Sequence, residues 1–210
     1  MKNCFFIFLI FLLSFFCTVS AQTFNGEPLA HTYSIVAIDE ETGELGVAVQ
    51  SHWFSVGSIV SWAEAGVGAI ATQSLVNVSF GPRGLDLLKQ GKTAQEAIDE
   101  LITSDEGRDF RQLAIVDAQG RVATHTGKKC IADAGHKQGK NYSVQANMML
   151  NKKIWPAMAK AFENSIGPLA ERLLTALKAA EAAGGDIRGQ QSAAILVVKV
   201  KDVDDEVITT

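Results

Sequence analysis

Between Thr32 and Val200 the apolar runs are grouped as strands, then helices, then strands, then helices, then one strand. This order limits the fold more than any single motif. It does not alternate as βαβ units do, so it argues against a doubly wound parallel sheet and for sheets held between helix layers. The first block reads as a hairpin, Thr32 to Asp39 and Leu45 to Gln50, around a DEETGE turn in which Gly43 can take positive φ. Ser58 to Ala63 and Val67 to Thr72 read as two further strands, turned by Glu64-Ala65-Gly66. Helices follow. Pro82 suits a first turn, with Leu85 and Leu88 on one face. Thr93 and Glu96 have capping-box spacing ahead of Ala94, Ala97, Ile98 and Leu101. Arg111 to Asp117 and Arg121 to Thr126 form a second hairpin around Ala118-Gln119-Gly120, and Tyr142 to Met149 a weaker strand. Ile154 to Asn164 and Pro168 to Ala183 read as helices. The latter carries Leu169, Leu173, Leu177 and Ala180 at helical period and ends at Gly184-Gly185. Ser192 to Val200 closes the pattern as a strand, giving an α+β class.

The chain opens MKNCFFIFLIFLLSFFCTVSAQ, with Lys2 before an apolar run and Val19-Ser20-Ala21 as a cleavage pattern. Residues 1–21 are therefore expected to be a signal peptide, directing the chain to the periplasm or the medium. The expected organisation is a leader over 22–31, a single domain over 32–200 and an acidic tail over 201–210. Removing the signal leaves no segment long enough for stable membrane insertion. Cys4 and Cys17 leave with it, so Cys130 has no intramolecular disulfide partner. Of 19 Lys and Arg, Lys2 also leaves, so 18 basic side chains face 23 acidic ones. Their scatter argues against nucleic acid or an anionic membrane as partner.

No nucleotide-binding glycine loop, HExxH or GxSxG is present, and His31, His52, His125 and His136 follow no zinc spacing. No cofactor is expected. The informative polar residues fall at strand ends: Gln50-Ser51-His52, Thr72-Gln73-Ser74, Asn147 in an otherwise apolar run, and Asp186, Arg188, Gln191 and Ser192 before the last strand. Taken singly each suits a structural role, and Asp186 with Arg188 reads as a loop clamp. Taken together they gather amides, hydroxyls and one guanidinium where a cleft usually lies.

The stretches TYSIVAIDEETGELGVAVQS, AEAGVGAIATQS, GPRGLDLL, RQLAIVDAQGRVATHTG, GPLAERLL and GGDIRGQQSAAILVV resemble the DUF1028 family over nearly the whole mature chain. That family is grouped with the N-terminal-nucleophile (Ntn) hydrolases, so the resemblance implies a four-layer αββα sandwich. It also implies that Thr32, first residue of the first core strand, is the nucleophile and that its α-amine is the base. Asn147 is then the first candidate to hold the oxyanion and Gln73 the second. Arg188 would bind a substrate carboxylate, Asp186 would orient Arg188, and His52 and Gln191 would contact the substrate. Three features separate this chain from the simplest member. Cleavage after Ala21 leaves ten residues ahead of Thr32, so the amine needs a second cut at His31-Thr32. Ser34 places another hydroxyl on the same strand face, and Ala146 stands where the family more often has glycine. The expected function is amide hydrolysis on a small amide or peptide. The alternative is a non-catalytic binding or structural module on the same scaffold. Self-association into a homo-oligomer is common among such relatives.

Overall fold

In the computed structural model residues 29–30 and 32–199 are described. The expected signal peptide, the rest of the leader and the acidic tail lie outside them. The strands are β1 (Leu29–Ala30), β2 (Thr32–Ile38), β3 (Glu44–Ser51), β4 (Ser61–Glu64), β5 (Gly68–Leu75), β6 (Arg111–Asp117), β7 (Val122–Thr126), β8 (Gly135–Gly139), β9 (Tyr142–Ala146) and β10 (Ser192–Lys199). The helices are α1 (Gly57–Val60), α2 (Phe80–Lys89), α3 (Ala94–Thr103), α4 (Ile154–Glu163) and α5 (Leu169–Ala182).

The strands form two antiparallel sheets. One runs β1-β5-β6-β7, with β4 also paired to β5; the other runs β10-β3-β2-β9-β8. Period-2 alternation decides which side chain enters which layer. Ile35, Ala48 and Val144 pack with Met158, Leu173 and Leu177 of α4 and α5. Val36, Val47, Val49, Ala69, Ala114 and Val116 meet between the sheets. Ile70, Leu113 and Ile115 pack under Phe80, Ile98 and Leu101 of α2 and α3. Gly46 sets how closely α5 approaches, since a Cβ there would lie 2.6 Å from Leu173 Cδ1.

Most expected elements are present, including the Thr93–Glu96 capping box. Three differ. The strand expected over Ser58 to Ala63 begins as the single turn α1 and becomes strand only at Ser61. Val56 and Val60, four apart, are both buried between the sheets, and that spacing is served by a helical turn. Strand β8, GHKQG, carries no apolar residue; it pairs with β9 along an edge and so leaves no hydrophobic signature. Strand β9 stops at Ala146 because Met148 takes φ 57°, which turns the chain before Met149.

A candidate active site between the sheets

Along β2 the even-numbered residues face the other sheet. Val36 and Ile38 join its aliphatic layer, whereas Thr32 and Ser34 enter a polar end of the same space. There they meet Gln73 from β5, Gln112 from β6 and Ser143, Gln145 and Asn147 from β9 and its end. All of these are buried. Buried amides are costly unless hydrogen-bonded, so their partners determine what the site can do.

The hydrogen bonds run in one direction. Gln112 Nε2 donates to the carbonyl oxygens of Ala146 (3.0 Å) and Gly135 (3.2 Å) and to Thr126 Oγ1 (2.9 Å). A carbonyl can only accept, which fixes the Gln112 amide and leaves its Oε1 as an acceptor. That oxygen receives Gln73 Nε2 at 2.7 Å and Asn147 Nδ2 at 3.0 Å. Gln73 Oε1 in turn accepts from Ser34 Oγ at 2.7 Å, and Ser34 Oγ accepts from Gln145 Nε2 at 2.6 Å. Gln145 Oε1 accepts from Ser143 Oγ at 3.0 Å, so Thr124, 2.7 Å from Ser143, is the donor to it. A second anchor agrees with the first: Gln73 Nε2 also reaches the carbonyls of Thr32 (3.3 Å) and Gln145 (3.5 Å).

Two consequences concern nucleophiles. The single proton of Ser34 is committed to Gln73, and its oxygen is occupied by Gln145. Thr32 is fully buried, yet its Oγ1 has no hydrogen-bond partner. The Thr32 carbonyl is held firmly instead, accepting from Asn147 N (3.0 Å), Gln73 Nε2 (3.3 Å) and Asn147 Nδ2 (3.4 Å). Asn147 therefore spends its amide donors inside the network. Its Oδ1 is buried without a partner, so the available end is an acceptor. The side-chain donors of both residues expected to hold an oxyanion, Asn147 and Gln73, are thus already engaged.

The second expected group lies one strand away. Ser51 of β3 is the cross-strand partner of both Thr32 and Ser192, and its carbonyl accepts from Gln191 N at 3.2 Å. Asp186, nearly buried, accepts from His52 N (3.3 Å), from Arg188 N (2.9 Å) and from the guanidinium through Nε (3.0 Å) and Nη2 (2.6 Å). The Asp186–Arg188 clamp is therefore real and bidentate. His52 contributes its backbone N–H while the residue itself stays exposed. Met149 bridges to Asp186, which joins this loop to the end of β9 beside Asn147. Thr32, Gln73 and Asn147 thus converge directly, and His52, Asp186, Arg188 and Gln191 form a rim next to them.

Gln112, Gln145, Ser143 and Thr126 were not among the expected site residues. A signal was present, since in RQLAIVD residue Gln112 shares a strand face with Ala114 and Val116 and so had to be buried with them. The network ends at His136, whose Nδ1 is 2.8 Å from Thr126 Oγ1. Desolvation, helped by the nearby His125, lowers the His136 pKa, which favours the neutral ring. The Cys130 thiol donates to Arg111 O at 3.3 Å, and burial pushes its pKa up, away from the reactive thiolate. Among the described residues no three His, Cys, Asp or Glu side chains are grouped to hold a metal ion. Nor, among them, is any helix long and apolar enough to cross a membrane.

The chain is 34% identical to the protein SPO2555 from Silicibacter pomeroyi, described as a DUF1028 protein. Its crystal structure superposes with a TM-score of 0.76 over 80% of this chain and 73% of that one. A looser likeness is to Anbu (ancestral beta-subunit) from Yersinia bercovieri, with a TM-score of 0.38 and 12% identity over 79% of this chain and 80% of that one. At that level it carries no argument. Comparison with curated proteins gives no match. The model of the family of unknown function DUF1028 matches residues 32–209, so the match opens at Thr32 itself. The chain belongs to the DUF1028 family.

Proposed function

We propose that this protein is an exported, cofactor-independent amide hydrolase of the Ntn type, acting on a small amide or peptide with Thr32 as nucleophile. The observation that carries the reading is the Thr32 hydroxyl, fully buried and without a partner beside a network that satisfies its neighbours. Leaving such a group unpaired costs about 1–3 kcal/mol. A reacting hydroxyl accounts for that cost, whereas a packing residue at this position would be better as valine. The layering of α2 and α3, sheet, sheet, then α4 and α5 supports the four-layer αββα sandwich of that superfamily.

Once the His31–Thr32 bond is cut, the α-amine, with a pKa of about 8, takes the hydroxyl proton as Thr32 Oγ1 attacks the substrate carbonyl. The tetrahedral intermediate collapses by breaking the C–N bond, and the new ammonium returns its proton to the leaving amine. Water, deprotonated by the same amine, then hydrolyses the threonyl ester. Asn147 Oδ1 is an acceptor available to an N–H of the ammonium or of the substrate amide. With the Gln73 and Asn147 donors engaged, the oxyanion falls to a backbone N–H. Arg188, oriented by Asp186, would meet a substrate carboxylate at the rim, with His52 and Gln191 alongside.

One observation favours the alternative, a binding module with no chemistry. Leu29 and Ala30 pair with Leu75 and Ser74 of β5, so the chain just ahead of Thr32 is tied into a sheet. Periodate separates the two readings, because it oxidises a 1,2-amino alcohol only when the threonine amine is free. A mature protein whose intact mass starts at Thr32 and which yields a periodate aldehyde supports hydrolysis. A chain that keeps residues ahead of Thr32 and resists periodate through prolonged incubation assigns it to binding.

A further inference from the structure

The two edges of the larger sheet are built differently. Strand β8 is five residues long, with a glycine at each end and exposed His136, Lys137 and Gln138 between them. Short, charged, glycine-bearing edges resist further pairing. Strand β10 at the other edge is eight residues long, SAAILVVK, with no charge before Lys199 and no proline. Its centre is exposed on both faces. Ile195, 40% exposed, stands opposite Ala48 of the α5-side cluster, while Leu196, 36% exposed, stands opposite Val47 of the inter-sheet cluster. Helix α5, which packs against β10, exposes Leu174 to 39%.

We infer that β10 is a self-association surface: two copies of this chain pair β10 to β10, antiparallel about a twofold axis, and join their larger sheets into one. Along residues 192–198 this strand edge presents unpaired N–H and C=O groups over about 24 Å. The occupant that satisfies them is another strand. The sequence that follows β10 is a poor candidate, since residues 201–206 read KDVDDE, with five charged side chains in six. A second β10 fits. A twofold axis normal to the sheet and through Leu196 sets Leu196 against its own copy, Ile195 against Val197, Ala194 against Val198 and Ala193 against Lys199, each pair on one face. No like charges meet, whereas parallel pairing in register would oppose Lys199 to itself. The contact is isologous and closes as a dimer, leaving β8 as the outer edge at both ends.

The test is sedimentation velocity on the mature chain from about 1 to about 100 µM, a range that spans micromolar dissociation constants. A dimer is expected. Leu196→Lys, and independently Ile195→Lys, should raise the dissociation constant at least about tenfold with the thermal midpoint of the monomer kept. Gln138→Lys on β8 should leave it unchanged. Hydrogen exchange supplies a readout free of substitution: amides along all of β10 should be protected at high concentration, but only alternate ones at low concentration. A monomer at every concentration overturns the inference, as does a dimer that ignores both lysine variants. A chain ended at Lys199 that dimerises when the full chain does not would assign the edge to the acidic tail and overturn it as well.

Discussion

Ser34 of one sheet gives its only hydroxyl proton to Gln73 Oε1 of the other at 2.7 Å, and this bond distinguishes the two hydroxyls on the inner face of β2. Thr32 keeps a free hydroxyl, while Ser34 is locked into the sheet contact. The two residues should therefore respond in opposite ways to substitution. Ser34→Ala strands both Gln73 Oε1 and Gln145 Nε2 in a buried layer and should cost about 2–4 kcal/mol. Thr32→Ala removes no hydrogen bond, and relief of the unpaired hydroxyl offsets the lost methyl packing, so the net change in stability should be within about 1 kcal/mol or mildly stabilising. It should also abolish hydrolysis, with Thr32→Ser retaining a fraction. Urea unfolding alongside turnover of an amide substrate gives both readings, and unchanged turnover in Thr32→Ala would remove Thr32 from the mechanism.

Gln112 should be among the positions least tolerant of a charge. Gln112→Glu would aim a carboxylate oxygen at the carbonyls of Ala146 and Gly135, where the amide nitrogen now donates at 3.0 and 3.2 Å. The expected loss is about 3–5 kcal/mol, as for other unpaired buried charges. It should shrink at acid pH, where the protonated acid can donate again. A shift in urea midpoint of less than a quarter of the total would show that the network is less rigid than described.

Gln50 should behave in the opposite way. It is 7% exposed, on the far face of β3 from Thr32's layer, and neither side-chain polar atom has a partner. Gln50→Met should raise stability by about 1–2 kcal/mol, because an unpaired amide is exchanged for an apolar chain of similar length. Calorimetry measures it. A stabilised variant with impaired turnover would mark Gln50 as a residue kept for function.

The acid limb of stability should depend on Asp105. Burial pushes its carboxyl pKa up, but the hydrogen bonds and charge of Arg111, 2.6 Å away and itself nearly buried, hold it below the usual range. A depressed folded-state pKa gives stability that is present above the unfolded value of about 3.9 and is lost as pH falls through the folded one. Asp105→Asn should cost about 3 kcal/mol at neutral pH, with the difference from wild type narrowing only below the unfolded value. Parallel urea titrations at several pH values decide it, and a gap of constant size would assign the effect to packing.

Gly127 is a steric requirement. An added Cβ would meet Asp109 O at 2.2 Å and Arg108 O at 2.6 Å, both backbone atoms that cannot swing aside. Gly127→Ala should therefore cost about 1–3 kcal/mol and disturb the end of β7 that carries Thr126. An unaltered thermal midpoint would show that the 108–110 turn is free to move.

The sequence marked this fold through grouped apolar runs, and these survive where a strand buries at least one face, as β2, β3, β5 and β6 do. Strand β8 escaped because GHKQG buries none, and α1 because a four-residue turn cannot establish a period. Thr32 was legible as the opening of β2, and Asn147 as an amide in an apolar run. Gln112 and Gln145 were less so, since a glutamine in a strand looks alike whether it faces solvent or a partner sheet. The engagement of the Asn147 donors could not be read at all, because it depends on three separate strands arriving at one carbonyl.

The layer between the sheets is aliphatic at one end and a one-way lattice of amides at the other, and this makes it a selector of alignment. A slip of β2 by two residues would keep every side chain on its proper face and, within the aliphatic layer, put Ile38 in the place of Val36. At the amide end the same slip would bring Val36 to Gln73 and Gln145, leaving both without their hydroxyl. Misaligned docking is therefore penalised where the chemistry is proposed to sit, and a chain that completes its sheets has also placed Thr32.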